Sequence, residues 1–182
     1  MNLWKSGRNG FGLSLLGMSA LTPIAIVAHA EIYLAPEQAA QIIFPGEKFS
    51  RQEVTIPDDK ISGIESASDE KVRSKKLVVF VDSNKNSVFI DQVLGKHEMI
   101  TYAVGIKPDG SVKDVEILEY RETYGQNVRN EWRKQFEGKT KADTLRAGKD
   151  IKVLSGATLS SAHLSAGVRR LLQTYDIVKS QL

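Results

Sequence analysis

Residues 155–161, Ser-Gly-Ala-Thr-Leu-Ser-Ser, combine small side chains and hydroxyl groups with the expected start of a helix. Gly156 allows a sharp turn, and its small neighbours leave room for a bulky group. The first N–H groups of a helix lack partners within it and attract negative charge, so such a start can bind phosphate. An ordinary helix N-cap made by Thr158 or Ser155 is the alternative. Further hydroxyl donors and positive charges for a phosphate site are Ser155, Ser160, Ser161, Arg146 and Lys152.

The chain contains no cysteine. This excludes disulfides, thiolate metal sites, iron–sulfur clusters, thioether-linked cofactors and a cysteine nucleophile. Outside the first 30 residues the histidines are His97 and His163, and we interpret both as ordinary strand or helix residues. There is no Gly-x-Gly-x-x-Gly fingerprint for a dinucleotide. We therefore predict no metal site and no catalytic residues, and any redox chemistry needs a cofactor without sulfur ligands.

The 155–161 sequence resembles the flavinylation signature of the FMN-binding domain family. This family includes the covalent-flavin subunits of the sodium-translocating NADH:quinone reductase and of Rnf complexes, as well as small exported FMN-binding proteins. The resemblance covers roughly residues 95–175. The other segments that carry it are Gly95–Gly105, the Asp109-Gly110 turn, Glu116–Gly125, and Trp132, Gln135 and Phe136.

The resemblance implies that Thr158 carries FMN through a phosphoester bond to its hydroxyl. An exported flavin transferase would attach the FMN from FAD, using Mg²⁺. The family pattern usually has an aspartate three residues before the motif serine. Here Lys152 occupies that position, and Asp150 lies two residues further upstream.

A flavin held at Thr158 also needs surroundings for its ring. Candidates for an apolar or aromatic wall are Tyr120, Tyr124, Trp132 and Leu159. Glu122 and Thr123 belong to a Glu-Thr-x-Gly loop, which the resemblance places near the flavin, and they could hydrogen-bond the ring edge. The predicted cofactor-binding residues are Thr158, Ser155, Gly156, Ala157, Leu159, Ser160, Ser161, Glu122, Thr123 and Gly125.

The elements that must position these residues follow from hydrophobic spacing. Apolar and alternating runs predict sequential strands joined by short turns, with a hairpin turn at 107–110. Helical spacing and breakers predict the helices, the last with a stripe of Leu164, Val168, Leu171 and Tyr175. The fold class is therefore α+β, an antiparallel meander with packed helices. The predicted strands are 51–56, 77–81, 87–94, 98–106 and 112–120; the helices are 36–44, 127–136 and 158–175; 58–76 is a solvated helix or loop, and 139–150 a loop.

Residues 1–30 have the order of a secretory signal. Lys5 and Arg8 precede an apolar stretch, and Ala28-His29-Ala30 offers a cleavage site before Glu31. An uncleaved membrane anchor is the alternative. Either reading places the body outside the cytoplasm, in the periplasm or at the outer face of the inner membrane. We divide the rest into an N-terminal region, 31–94, and the FMN-binding domain, 95–175.

The remaining 152 residues hold 23 basic and 22 acidic side chains, so a nucleic-acid partner is not expected. Two functions stay open. One is an electron-transfer flavoprotein with covalent FMN, whose partners are the flavin transferase and membrane or periplasmic redox proteins. The other is a non-redox exported binding or adaptor module with a phosphate-binding helix start.

Overall fold

The fold is α+β, as the sequence predicts. The structure is a computed structural model that describes residues 31–32, 34–122, 128 and 131–182. The described strands form one antiparallel sheet in the order β1-β6-β5-β4-β3-β2, which is continuous across residue 95. The predicted signal, 1–30, lies outside the described residues. The strands are β1 (Glu31–Ile32), β2 (Ser50–Thr55), β3 (Lys76–Val81), β4 (Ser87–Leu94), β5 (Met99–Ile106) and β6 (Val112–Tyr120).

The predicted hairpin between β5 and β6 is confirmed. Gly110 N–H donates to the Lys107 carbonyl at 2.8 Å, and Lys107 N–H donates to the Ser111 carbonyl at 2.9 Å. Gly110 has φ 85°, a left-handed conformation that glycine adopts without strain. This turn sets the register of β5 and β6, the two strands that lead to the candidate site.

One face of the sheet is covered by α1 (Pro36–Ile43), which begins at a proline, where the missing N–H costs nothing. Its buried side, which includes Ala40 and Ile43, packs against Phe80 and neighbouring apolar residues of the sheet. At Gly105 on β5, an added Cβ would overlap the Ile43 side chain, so the glycine allows the close approach of α1.

The opposite face packs against α2 (Asp58–Ser68) and α3 (Thr158–Val178). The long helix α3 buries the predicted stripe, and burial of each large apolar side chain contributes about 1.5–3 kcal/mol. At Gly167 an added Cβ would overlap the Tyr102 hydroxyl, so α3 lies directly on the sheet there. The stripe residues, all buried, are Leu164, Val168, Leu171 and Tyr175.

The helix predicted for 127–136 differs from the structure. Its described part, Glu131–Phe136, is a 3₁₀ helix and not an α-helix. Trp132 Nε1 donates to the Lys152 carbonyl at 2.5 Å, and Lys152 N–H donates to Gln135 Oε1 at 2.8 Å. Residues three apart lie on one side of a 3₁₀ helix, so the tighter winding lets both side chains bond one residue. The 139–150 loop is as predicted.

Candidate functional site

The 155–161 segment forms a turn followed by the first turn of α3. Gly156 has φ 80°, and Thr158 is the first residue of the helix. The N-cap is Ala157, and no side chain caps the helix. An N-cap made by Thr158 or Ser155 is therefore wrong. Thr158 already lies inside the helix, and Ser155 lies two residues before the N-cap.

The start of α3 is thus open to a ligand. In a helix, the N–H groups of Thr158, Leu159 and Ser160 have no intrahelical acceptor. Ser161 has the first N–H group of this turn that donates within the helix, to the Ala157 carbonyl at 2.8 Å. Three N–H donors and the positive end of the helix dipole favour a negatively charged group here. The side chain of Thr158 is exposed at this point.

A cavity of about 560 Å³ opens beside the start of α3. Its volume is in the range of small-molecule and cofactor sites. The structure brings six of the predicted site residues to its wall and adds two that the sequence analysis did not select. The lining residues are Gly156, Ala157, Thr158, Leu159, Ser160 and Glu122, together with Lys96 and His97.

The two remaining serines of the motif have other positions. Ser161 is fully buried, and its hydroxyl donates to the Thr158 carbonyl at 2.9 Å. The same oxygen accepts from Leu154 N–H at 3.4 Å, so Ser161 fastens the turn to the helix. Ser155 is exposed and, like Ser161, is not a lining residue. Ser160 is buried at the cavity wall, 3.4 Å from the Tyr120 hydroxyl.

Glu122 reaches the cavity from the end of β6. Its Oε1 accepts backbone N–H groups from His97 at 2.6 Å and from Glu98 at 3.1 Å. The carboxylate therefore holds the segment between β4 and β5 against the cavity. Three predicted site residues lie outside the described residues, namely Thr123, Gly125 and the wall candidate Tyr124.

Comparisons with known proteins identify a domain in the segment that contains these residues. The sequence model of the FMN-binding domain matches residues 95–173. These residues form an FMN-binding domain. A relative from Clostridium ljungdahlii, a subunit of the proton-translocating ferredoxin:NAD(+) oxidoreductase complex, is 28% identical over 162 residues, 81% of this chain and 82% of the relative. No solved structure matches the chain.

The cavity lies within the FMN-binding domain and suits the two ends of FMN differently. The open N–H groups of α3 suit the phosphate, and the hydroxyl of Thr158 is beside them. Leu159, 48% exposed, supplies an apolar surface at the rim. These residues therefore fit the phosphate and part of the ring system of FMN.

Tyr120 and Trp132, two of the candidates for an aromatic wall, belong to the hydrophobic core and do not line the cavity. The Tyr120 side chain is buried, and burial raises the pKa of its hydroxyl above the ordinary value. Trp132 is 9% exposed, stacks edge-on against Phe136 with ring centroids 5.3 Å apart, and binds the Lys152 carbonyl. Neither is a lining residue of the described cavity, so Leu159 is the wall candidate that the structure places there.

The charged residues before the motif also lie apart from the cavity lining. Arg146 pairs with Asp69 at 3.3 Å, and the Lys152 side chain is exposed. Asp150 accepts the N–H groups of Leu145 and Arg146 at 2.8 Å each. Burial acts to raise the pKa of Asp150, but these N–H donors outweigh it and hold the pKa below its ordinary value. Asp150 therefore stabilises the loop to which it belongs by hydrogen bonds to that loop's backbone.

Among the residues that the structure describes, no cluster of three or more histidine, aspartate or glutamate side chains is arranged to bind a metal ion. Nor does any helix in the described ranges combine the length and the apolar character needed to span a membrane.

Lys96 and His97 are the lining residues that sequence reasoning missed. They lie about 60 residues before Thr158 in the chain, and only the pairing of β4 with β5 and the packing of α3 bring them to the cavity. Gly95, between two predicted strands, is the signal that could have found them, because glycine at such a position marks a close approach.

Proposed function

We propose that this protein is an electron-transfer flavoprotein that carries FMN on Thr158 through a phosphoester bond. The observation that carries the proposal is the position of Thr158, which is exposed at the uncapped start of α3 and lines a cavity of about 560 Å³. A helix start without a side-chain cap leaves its N–H donors for the ligand.

The attachment that we propose is a phosphoryl transfer. The Thr158 oxygen attacks the FMN phosphorus of FAD, a new O–P bond forms, and the bond to the AMP phosphate breaks. AMP leaves, and the proton of the threonine hydroxyl is released. The exported flavin transferase and Mg²⁺ catalyse this step, and the exposed position of Thr158 gives the transferase access.

Within this function, the protein contributes binding and orientation while the redox chemistry belongs to the flavin. The N–H groups of Thr158, Leu159 and Ser160 stabilise the phosphate. Leu159 shields part of the ring from water. Bound FMN accepts and donates electrons, and the chain offers no substrate chemistry of its own among the described residues. An electron carrier therefore suits the site.

The partners follow from the relative. Because a matching protein is a subunit of a proton-translocating ferredoxin:NAD(+) oxidoreductase complex, we propose that this protein exchanges electrons with membrane redox proteins.

We also propose that residues 1–30 export it, so that it acts in the periplasm or at the outer face of the inner membrane. N-terminal sequencing of the exported protein should begin at Glu31. Intact chains in the membrane would favour the anchor, and intact chains confined to the cytoplasm would contradict export.

The covalent bond is tested by intact mass after co-expression with a flavin transferase. Wild type should gain the mass of FMN less one water, on a peptide that contains Thr158. The Thr158→Ala variant should gain none and still fold, because Thr158 is exposed and caps nothing, and such surface substitutions change stability by about 0.5 kcal/mol or less. Thr55→Ala is the matched control, since Thr55 is exposed on β2 and should leave the modification unchanged.

Two outcomes would contradict the proposal. In the first, wild type remains unmodified in cells that modify an established member of the family. In the second, Thr158→Ala keeps the denaturation-resistant flavin. A chain that takes up no FMN in either form would favour the adaptor function instead.

A further inference from the structure

The short segment from Leu94 to Glu98 forms the wall of the cavity opposite the start of α3. It joins β4 to β5, and Lys96 and His97 line the cavity together with Thr158. Gly95 N–H donates to the Glu98 carbonyl at 2.8 Å and closes the segment into a tight turn. We refer to residues 94–98 as the Lys96 turn.

Glu122 clamps the Lys96 turn from the side of β6. One carboxylate oxygen accepts two consecutive N–H groups of the turn, those of His97 and Glu98. The same oxygen occupies the space where a Cβ of residue 95 would lie, so Gly95 is needed for this contact. Hydrogen bonds to a charged acceptor are about twice as strong as neutral ones, so this is a firm attachment.

His163 clamps the same turn from the side of α3. Its Nδ1 lies 2.5 Å from the Leu94 carbonyl and 3.0 Å from the Gly95 carbonyl, so it donates its proton there. His163 follows Thr158 by five residues on the same helix. The Lys96 turn is therefore fixed to the element that carries Thr158 as well as to β6.

The charged residues at the cavity differ in their hydrogen bonds and ion pairs. Glu122 is 8% exposed, and its negative charge is partly offset by the two N–H groups that it accepts. Lys96 forms no ion pair among the described residues, and its side chain is exposed at the cavity. His97 lines the cavity beside it, and Glu98 is exposed in the same turn. Lys96 thus brings to the site a positive charge that forms no ion pair with the nearby carboxylates of Glu122 and Glu98.

We propose that Lys96, held in place by Glu122 and His163, is the residue that raises the reduction potential of FMN in this cavity. The inference rests on the proposed function and names the group that tunes the flavin. Two electrons and one proton convert oxidised flavin to a reduced form with one negative charge. A positive charge near the ring stabilises that anion, and the effect is large where water is partly excluded.

The test is a spectroelectrochemical titration with mediators on FMN-loaded protein, its loading verified by mass. Lys96→Gln should lower the reduction potential relative to wild type. Lys179→Gln is the matched control, because Lys179 follows the last turn of α3, about 30 Å from Thr158 at 1.5 Å per residue. It should leave the potential unchanged. Equal potentials in wild type and Lys96→Gln would overturn the proposal.

The positioning role is tested by combining substitutions. Glu122→Gln keeps an oxygen that can accept both N–H groups, whereas Glu122→Ala removes the clamp. The effect of Lys96→Gln on the potential should persist in the Glu122→Gln background and shrink in the Glu122→Ala background. If Glu122→Ala fails to fold, His163→Ala loosens the other clamp and serves the same comparison. If Lys96→Gln changes the reduction potential by the same amount in every background, Glu122 and His163 do not position Lys96.

Failure of this proposal can be told apart from failure of the covalent proposal. Wild type that gains no FMN mass but binds added FMN refutes the bond to Thr158. The same potentials are then measured with that bound FMN, and the Lys96 proposal is decided by them. A protein that binds FMN in neither way overturns both proposals.

Discussion

The guanidinium group of Arg170 on α3 lies 2.6 Å from the carboxylate of Asp91 on β4, with the two side chains 3% and 10% exposed. The same guanidinium donates to the Lys71 carbonyl at 2.5 Å and to the Gln92 carbonyl at 2.9 Å. Glu70 lies 3.4 Å away. One buried charge thus connects α3, the sheet and the segment after α2, and it fixes the helix whose start forms the candidate site.

Arg170→Ala should therefore destabilise the protein strongly. Removing one partner of a buried ion pair leaves the other charge uncompensated and typically costs about 3–5 kcal/mol. Urea denaturation of the purified variant should show this loss. Arg146→Ala is the control, because Arg146 and Asp69 are 44% and 72% exposed and 3.3 Å apart, and loss of a surface pair costs about 1 kcal/mol or less. Similar losses for the two variants would contradict a buried network.

Two glycines in helices should respond to alanine with opposite signs. Gly63 in α2 has nothing within 4 Å of an added Cβ, so Gly63→Ala should stabilise the protein by roughly 0.5–1 kcal/mol. Gly167 in α3 lies against the sheet, where the new Cβ would come within 2.6 Å of Val93. Overpacking of this kind costs about 1–3 kcal/mol, so Gly167→Ala should destabilise it. Thermal unfolding of both variants checks the sign, and stabilisation by Gly167→Ala would show that α3 is not packed so closely.

Most of the fold follows from local patterns. Alternation predicted the strands of the meander because one face of each is buried, and the Pro-Asp-Gly turn predicted the hairpin. The stripe from Leu164 to Tyr175 predicted α3 for the same reason. The 3₁₀ helix Glu131–Phe136 could not be predicted, because its winding depends on the bonds of Trp132 and Gln135 to Lys152, which is distant in sequence.

The sequence predicts the part of the candidate site that one continuous segment forms, but not the residues that distant segments contribute. Residues 156–160 line the cavity as a continuous stretch, so the composition of the motif was enough. Whether a serine faces the cavity depends on the helical rotation of about 100° per residue, which separates Ser160 from Ser161. Lys96 and His97 have no local signature, because their position depends on contacts with Glu122 and His163 that join distant parts of the chain.

The buried tyrosines should make the protein less stable at high pH. Burial raises the pKa of Tyr102, Tyr120 and Tyr175, and the negative charge of Asp91 adds to this effect at Tyr102. A tyrosine in the unfolded chain has a pKa of about 10 and releases its proton there, whereas the folded form keeps it. Stability is therefore fully present below about pH 10 and falls as the pH rises above it.

Urea denaturation between pH 8 and pH 11, with tyrosinate absorbance recorded in parallel, tests this dependence. The absorbance of the three residues should appear with unfolding and not before it. Tyr102→Phe removes one raised pKa, together with the contacts of the hydroxyl to Asp91 at 3.4 Å and to Arg170, so its stability should fall less steeply with pH. Full titration of every tyrosine in the folded protein near pH 10 would contradict their burial.

Lys152→Asp should speed the attachment of FMN. The backbone of residue 152 is held by Gln135 and Trp132, while its side chain is exposed, so the substitution should leave the fold intact. It restores the acid that the family motif usually has three residues before its serine. Asp150 is not a substitute in this structure, because both of its carboxylate oxygens accept N–H groups of its own loop.

The measurement is a time course of intact mass after adding transferase, FAD and Mg²⁺ to unmodified protein. Lys149→Asp is the matched control, since it makes the same charge reversal at an exposed position of the same loop, three residues earlier. Faster modification of Lys152→Asp alone would show that an acid at position 152 acts locally on the reaction at Thr158. Equal acceleration by both variants would show that only the net charge of the loop matters, and no acceleration would show that Lys152 does not limit the reaction.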